Sequence, residues 1–253
     1  MATSSAQQLE NIRERISPRL KDIDYLVLSD LRLFLQRFAT GAPLRVLDYG
    51  AGNSPYASLF PGADYRRADY LDFGAIDYRV DADSKLSIPD CTFDFVLSTQ
   101  VAEHLPDPST YFCEAFRVLK PGGRMVVTTH GVWEDHGVPF DFQRWTASGL
   151  ARDLEFAGFS VNGMFKLTTE ERFYVFLMLR WLSQGGLGRW SVFSKVVRRA
   201  CRLLASCLRL PIHLLADRLW RDCRVVEPDS LDKHKFYSVV AAEVVKPTGK
   251  PTG

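Results

Sequence analysis

Apolar residues recur along this chain with two different periods, and the changes of period mark its elements. Leu20, Ile23, Val27, Leu31, Phe34 and Phe38 follow one another at steps of three and four, the spacing of a single helix face. Ser17 and Pro18 ahead of them suit an N-cap and a first helical position, and Gly41 suits a stop, so a helix is predicted between these points. From residue 44 the pattern shortens. Strands are predicted at 44–48, 65–69 and 77–81, and the run Phe93-Asp94-Phe95-Val96-Leu97-Ser98 predicts a fourth, buried one. A helix at 109–119 leads through the turn Lys120-Pro121-Gly122-Gly123 into a strand at 124–129. Thr146 caps a helix running through Leu154 and Phe156, Gly158 stops it, and a sixth strand occupies 159–167. The alternating run 236–245 gives a last strand. Strands that alternate with helices imply a mainly parallel α/β sheet with helices on both faces.

Residues 169–226 break that alternation. Thr169-Glu170-Glu171 opens a helix that is apolar on every side from Phe173 to Leu179, with Gly185-Gly186 as its stop. From Ser191 the pattern is helical and two-faced. Val192, Phe193, Val196, Val197, Ala200, Leu203, Leu204, Cys207 and Leu208 share one side, and Lys195, Arg198, Arg199, Arg202 and Arg209 the other. Pro211 is expected to interrupt this helix before Ile212, Leu214, Leu215, Leu219 and Trp220 continue the apolar stripe. Eleven basic against two acidic residues between 172 and 224 give this segment a charge of +9, which leaves −7 for the rest.

The whole chain of 253 residues therefore carries only +2, and no nucleic-acid partner is expected from so small an excess. Five cysteines without a CxxC pair fit a reducing compartment and no zinc site, so no metal is expected. No signal-like N-terminus and no apolar run of membrane-spanning length stand out, which makes a cytoplasmic protein the expectation.

The densest chemistry begins at Val46-Leu47-Asp48-Tyr49-Gly50-Ala51-Gly52-Asn53. Here an apolar strand ends on an acid, and two glycines turn the chain where a ligand can approach the backbone. Three further pieces follow in order: Asp81-Ala82 before Ile88-Pro89, Phe93 through His104, and Arg117-Val118-Leu119-Lys120-Pro121-Gly122-Gly123-Arg124. Together they resemble the class I S-adenosylmethionine-dependent methyltransferases of the small, type 11 branch. The resemblance covers about residues 44–168 and the strand at 236–245. It implies a seven-stranded, mainly parallel Rossmann-like sheet with an N-terminal helix and a helical insertion before the last strand. The corresponding division is 1–42 as a helical extension, 43–168 as the cofactor-binding core, 169–226 as the basic amphipathic insertion, 227–246 as the final strand and 247–253 as a disordered tail.

The same resemblance assigns S-adenosylmethionine as the cofactor. Asp48 would order the loop near the donor's amino group, while Gly50, Ala51 and Gly52 admit its methionine portion. Asp69 would hold the ribose diol, Asp81 the adenine amino group, and Thr99 and Gln100 would line the opening of the fourth strand. Asn53 and Ser54 depart from the family's common third glycine, which a donor without a pyrophosphate does not require. Local alternatives remain beside each role: Asp48 as a helix cap, Asp64 or Asp72 in place of Asp69, and Asp83 in place of Asp81. Glu103-His104 offers an acid/base pair, but in this branch an acid-His pair there usually begins the next helix and shapes the site.

The acceptor is expected beyond the fifth strand, in a loop dense with His130, Trp133, Glu134, Asp135, His136, Asp141, Arg144, Trp145 and Thr146. Its pattern is similar to a subgroup of these enzymes associated with bacterial surface polysaccharides. A hydroxyl acceptor needs a base, and histidine suits that role near neutral pH. His136 is the first candidate and His130 the second, with Asp141 orienting or replacing either. Trp133, Arg144 and Trp145 are candidate substrate contacts. The competing structural reading makes Asp141, Arg144 and Thr146 a clasp at a helix start, with Trp145 in the core. The function expected is O-methylation of a sugar hydroxyl in a cell-surface glycan or its lipid-linked precursor. The alternatives are methylation of a lipophilic small molecule of quinone or polyketide type, and a non-catalytic membrane-surface assembly role. The segment 172–224 either contacts an anionic membrane peripherally, on its inner face, or covers the sheet with its apolar side.

Overall fold

A computed structural model of the chain describes residues 5–71, 76–184 and 191–249. Its centre is one eight-stranded sheet of order β3-β2-β1-β4-β5-β8-β6-β7. The strands are β1 (Arg45–Tyr49), β2 (Asp64–Asp69), β3 (Tyr78–Arg79), β4 (Phe93–Thr99), β5 (Leu119–His130), β6 (Ser160–Thr169), β7 (Val225–Val226) and β8 (Tyr237–Val245). β3, β2, β1, β4 and β5 pair in parallel, whereas β8 runs antiparallel to both β5 and β6. The strand order reverses between β1 and β4, and a crevice opens beyond the strand ends at such a point.

Central strands here are buried on both faces, which explains their continuous apolar runs. On one face Leu47, Tyr49, Phe93 and Val96 pack against α3 (Pro108–Val118) and α4 (Ala147–Phe156), through Tyr111, Phe112, Leu150 and Leu154. On the other, Val46, Phe95 and Leu97 join a cluster with α2 (Tyr25–Leu35) and α5 (Glu170–Gln184), through Leu31, Phe34, Phe173 and Phe176. Asp107 caps α3 by accepting from the Ser109 and Thr110 amides, and Thr146 caps α4 by accepting from the Gly149 amide.

Several sequence expectations are corrected. The sheet has eight strands, not seven. The additional one, Val225–Val226, pairs with Lys166 and Leu167 at the edge and is too short to leave a periodic signal. No helix starts at Ser17-Pro18. That point instead follows α1 (Ser5–Ile16), and the next helix begins at Tyr25. The reason is Asp22, whose buried carboxylate accepts from the Arg19 amide at 2.7 Å and pairs with Arg13, holding the intervening residues in turns. The turn at 120–123 is a bulge inside β5, between the Phe93↔Leu119 and Phe95↔Arg124 pairings. Pro211 lies within α6 (Ser191–Leu219) and does not end it. The helix stop at Gly185-Gly186 and the tail at 250–253 lie outside the described residues.

The insertion is tied to the N-terminal extension through charge buried beneath α2 and α5. Arg172 donates to both oxygens of Asp30, at 2.7 and 2.9 Å, and both side chains are fully buried. Arg224 and Thr168 each donate to the same carboxylate at 2.8 Å. His213 of α6 hydrogen-bonds the Leu20 carbonyl at 2.7 Å.

The face that α6 turns inward is not its leucine-rich one. Ala205, His213 and Ala216 are buried, whereas Val196, Leu203 and Leu214 are 67%, 60% and 51% exposed. Among the described residues, the exposed positions of the apolar stripe therefore do not cover the sheet. Among the described residues no helix is long and apolar enough to cross a membrane.

Candidate active site

β1 delivers the first half of the site. Its last residues are buried up to Tyr49, and the chain then turns through Gly50 at φ 83° and Gly52 at φ 52°. The glycines are required for different reasons. A Cβ on Gly50 would sit 2.4 Å from a methyl of Val101, whereas one on Gly52 would meet nothing within 4 Å. Gly52 thus offers bare backbone to open space, as close approach of a ligand demands. The Gly50 and Ala51 amides donate to the Ala68 carbonyl, and the Gly52 amide donates to Asp69 at 2.7 Å. Asp69 accepts from the Leu71 amide through its other oxygen, so the acid at the end of β2 is fixed against the glycine loop. Of its rivals, Asp64 pairs with Arg45 and Arg66, and Asp72 lies outside the described residues.

Asp48 is buried beneath this loop and accepts from the Tyr65 hydroxyl at 2.7 Å. Loss of solvent pushes its carboxyl up to about 7, with the neighbouring Asp69 acting in the same direction. Asp81 is exposed and accepts from the Asp83 and Lys85 amides, at 2.9 and 2.7 Å, which shapes the loop after β3. The Tyr49 hydroxyl donates to the Ser84 carbonyl of that loop. Tyr111 bridges the Tyr49 carbonyl and the Ser98 hydroxyl at 2.8 Å each, locking the loops around β1 and β4 together. Thr99 is partly buried at the end of β4. Gln100 follows at φ 56° and donates to Thr128 at 3.2 Å, while its own carbonyl oxygen is buried without a partner.

The second half is a cavity of about 340 Å³. Its wall combines Gln100, His104, His130, Trp133 and His136 with Val27, Leu28 and Leu31 of α2, Arg180 of α5, and Glu14 and Arg15 of α1. Arg180 bridges Asp24 at 2.5 Å and Glu134, fastening the loop after β5 to the N-terminal layer. Residues 100–104 form a partition. Val101 touches the donor loop, while Gln100 and His104 face the cavity.

Three of the expected acceptor residues are reassigned. Trp145 is buried in the core and donates to Asp153 at 2.9 Å, away from the cavity. Arg144 forks onto Asp141 at 2.6 and 2.8 Å and also holds the Gln143 and Glu134 carbonyls, so it is a clasp. Asp141 completes that clasp by accepting from the His136 amide at 2.8 Å. The Arg144 guanidinium keeps its carboxyl well below the usual carboxylate range. Trp133 does line the cavity, but its ring is stacked on His130 at 4.5 Å and on Phe176 at 5.2 Å. Little of its face is left for a sugar.

The histidines differ sharply. His130 is buried, and loss of solvent together with the neighbouring His136 pulls its pKa down to about 2. This environment disfavours the charged imidazolium. His136 is more open, and burial also lowers its pKa. His104 hydrogen-bonds the Phe140 carbonyl through Nδ1 at 2.6 Å. A carbonyl only accepts, so Nδ1 carries the proton and Nε2 holds a free lone pair. His104 is therefore a base candidate, the lesser of the two readings the Glu103-His104 pair allows. Glu103 was expected to shape the site, yet its fully buried carboxylate lies 3.4 Å from Nε2 of His130 and accepts from Thr129 at 2.7 Å. Burial raises its pKa. The only signal for these two residues was their adjacency after β4.

Residues 47–127 match the family model described as a methyltransferase domain. A protein of Mycolicibacterium smegmatis named as a "probable S-adenosylmethionine-dependent methyltransferase" is 35% identical over 134 residues, which cover 46% of this chain and 52% of the relative. Residues 47–127 of this chain thus form a methyltransferase domain. The ubiquinone biosynthesis O-methyltransferase of Cereibacter sphaeroides is 36% identical over 103 residues, 34% of this chain and 41% of that protein. The chain thus spans about half or less of the length of these curated relatives. In fold, the methyltransferase domain resembles the crystal structure of a SAM-dependent methyltransferase from Archaeoglobus fulgidus, with a TM-score of 0.50 and 17% identity over 94% of this chain and 99% of that one. The residues present fit the methyl donor. Open space over Gly52, the Asp69 carboxylate beside it and the unpartnered Gln100 oxygen provide surfaces for a zwitterionic nucleoside.

Proposed function

We propose that this protein is an S-adenosylmethionine-dependent O-methyltransferase whose acceptor is a hydroxylated, largely apolar small molecule of phenolic or quinol type. The observation that carries this reading is the partition at residues 100–104, with the glycine loop on one side and a histidine-lined cavity on the other. The donor brings a methyl group on a sulfonium that is already an excellent leaving group. The chain's own residues must then align the acceptor hydroxyl, exclude water and receive its proton. Asp69 would grip the ribose diol by charge-assisted hydrogen bonds, and Asp48 would face the donor's cationic amino group. Among the bases, Nε2 of His104 and the imidazole of His136 border the cavity, their rings 4.7 Å apart.

The phenolic acceptor is favoured over a sugar by the two tryptophans, one stacked on both faces and one buried, while the cavity sets Val27 and Leu28 beside charged groups such as Arg15, Asp24 and Arg180. Similarity to a ubiquinone biosynthesis O-methyltransferase points the same way. The test is transfer of labelled methyl from S-adenosylmethionine to a catechol or demethylated quinol, run beside glycan and lipid extracts. Label in the phenol supports the reading, and label confined to glycan overturns the acceptor assignment.

We further propose that the acceptor is collected from an anionic membrane surface. The outward face of α6 combines Val196, Leu203, Leu204, Leu214 and Leu215 with Arg199, Arg202 and Arg218, all exposed. Tyr174, Leu177, Met178 and Trp181 of α5 extend the apolar surface. A leucine face flanked by arginines matches the interface of a bilayer carrying acidic lipids. Flotation with phosphatidylglycerol vesicles should recover the protein, and the double variant Leu203→Asp/Leu214→Asp should stay unbound while keeping its circular dichroism. Equal recovery of both proteins would rule this surface out.

A further inference from the structure

Glu103, His130 and His136 come from three separate stretches of chain, yet each has a potential ligand atom within 4.8 Å of those of the other two. We infer that these side chains bind one divalent first-row transition-metal ion at the base of the acceptor cavity. Two imidazoles and one carboxylate are a donor set that such ions take while leaving coordination positions open.

The unsatisfied atoms support this assignment. Glu103 is fully buried, and one of its oxygens is occupied by Thr129, but Oε1 has no hydrogen-bond partner. The rings of His130 and His136 are likewise uncommitted, each with a buried Nδ1 that has no hydrogen-bond partner, so either ring can turn a lone pair toward an ion. A buried carboxylate oxygen left unsatisfied is costly, and a bound cation removes that cost. The Glu103–His130 spacing also fits. Nε2 of His130 stands 3.4 Å from Oε1 of Glu103, too far for a strong hydrogen bond. Two donors each about 2.1 Å from one ion, at a tetrahedral angle, lie about 3.4 Å apart. Asp141 lies 3.6 Å from Nδ1 of His136, and its other contacts are the Arg144 clasp. Ligation through Nε2 would leave Nδ1–H facing that carboxylate, and a small closure would make the hydrogen bond that orients a ligating imidazole.

His130 and His136 both line the cavity, so an open coordination position would face the acceptor. A phenolic oxygen bound there would ionise more readily. The new O–CH3 bond would form as the S–CH3 bond breaks, the bonding pair staying on sulfur as a neutral thioether, and the hydroxyl proton would leave to solvent. This catalytic role rests on the proposed O-methyltransfer, whereas metal binding itself does not.

The decisive experiment uses the full chain stripped with EDTA and titrated with Zn²⁺ by calorimetry and with Co²⁺ by visible absorption. Saturation at one equivalent is expected, with Co²⁺ ligand-field bands that shift on adding catechol. His136→Ala, at the most open ligand, should weaken binding at least tenfold. Asp141→Asn should weaken it by roughly tenfold, with the circular dichroism of both variants unchanged. Glu103→Gln tests the buried ligand, and a failure of that variant to fold leaves the other two decisive. Absence of saturable Zn²⁺ and Co²⁺ binding, or binding equally tight in His136→Ala, would overturn the inference. Metal binding without S-adenosylmethionine binding would sink only the proposed reaction, and the converse only the metal.

Discussion

The donor loop and the acceptor cavity lie on two sides of one short segment but are assembled by different means. Gly50, Gly52, Asp69 and Asp48 are set by strands within 25 residues of one another, through backbone bonds to Ala68 and a side-chain bond to Gly52. The cavity instead draws its wall from α1, α2, the loop after β5 and α5. Its closure depends on contacts such as Arg180 with Asp24, which are 156 positions apart. A local site survives as long as its strand pair does. A dispersed one depends on how the layers dock, so the two halves should respond differently to substitution.

The largest effect should come from the docking charge. Arg172→Met leaves Asp30 buried without its main partner, and breaking one side of such a pair costs about 3–5 kcal/mol. That is a large share of a typical total stability. Urea unfolding should show it, and below the midpoint the donor should still bind while acceptor turnover falls. Equal loss of both functions in the folded variant would contradict the division.

Asp69→Ala should act in the opposite way. Hydrogen bonds to an ionised group contribute about 1.5–3 kcal/mol, so donor affinity should fall by roughly ten- to a hundredfold. The melting temperature should change little. Gly50→Ala strikes the partition from the donor side. Its Cβ would collide with Val101 at 2.4 Å in a left-handed backbone, so a loss of about 1–3 kcal/mol is expected, with weakened binding of both ligands.

The last effect is a pH dependence at Asp48. Its folded pKa of about 7 stands above the unfolded value, so its contribution to stability is full below the unfolded pKa and is lost as pH rises through 7. Asp48→Asn removes that loss. The melting temperature of the variant relative to the parent should therefore rise from pH 5 to pH 8 in the ligand-free protein. Donor affinity of the parent should rise over the same range, because a cationic amino group favours the ionised carboxylate.

The same contrast explains what could be read from the sequence. The donor residues announce themselves because strand, acid and glycine turn are contiguous, and Asp69 follows at the end of the neighbouring strand. Glu103 and His104 were assigned to a helix start because nothing in one dimension links them to His130 and His136. Trp145 and Arg144 resemble acceptor contacts in composition, yet the cap at Thr146 and the Asp153 carboxylate draw Trp145 into the core. The apolar stripe of α6 was visible, but its direction was not. Periodicity defines a face without saying whether protein or another surface lies opposite. Val225–Val226 needed only two backbone pairings, below the length at which any pattern forms.

The central claim is that the loop at residues 50–52 and the acid at 69 hold S-adenosylmethionine. Calorimetric titration of the purified chain with S-adenosylmethionine and its demethylated product tests it most directly. One site with a dissociation constant on the order of 10 μM is expected, weakened at least tenfold by Asp69→Ala. No measurable heat at millimolar ligand, or equal affinity in that variant, would contradict the account.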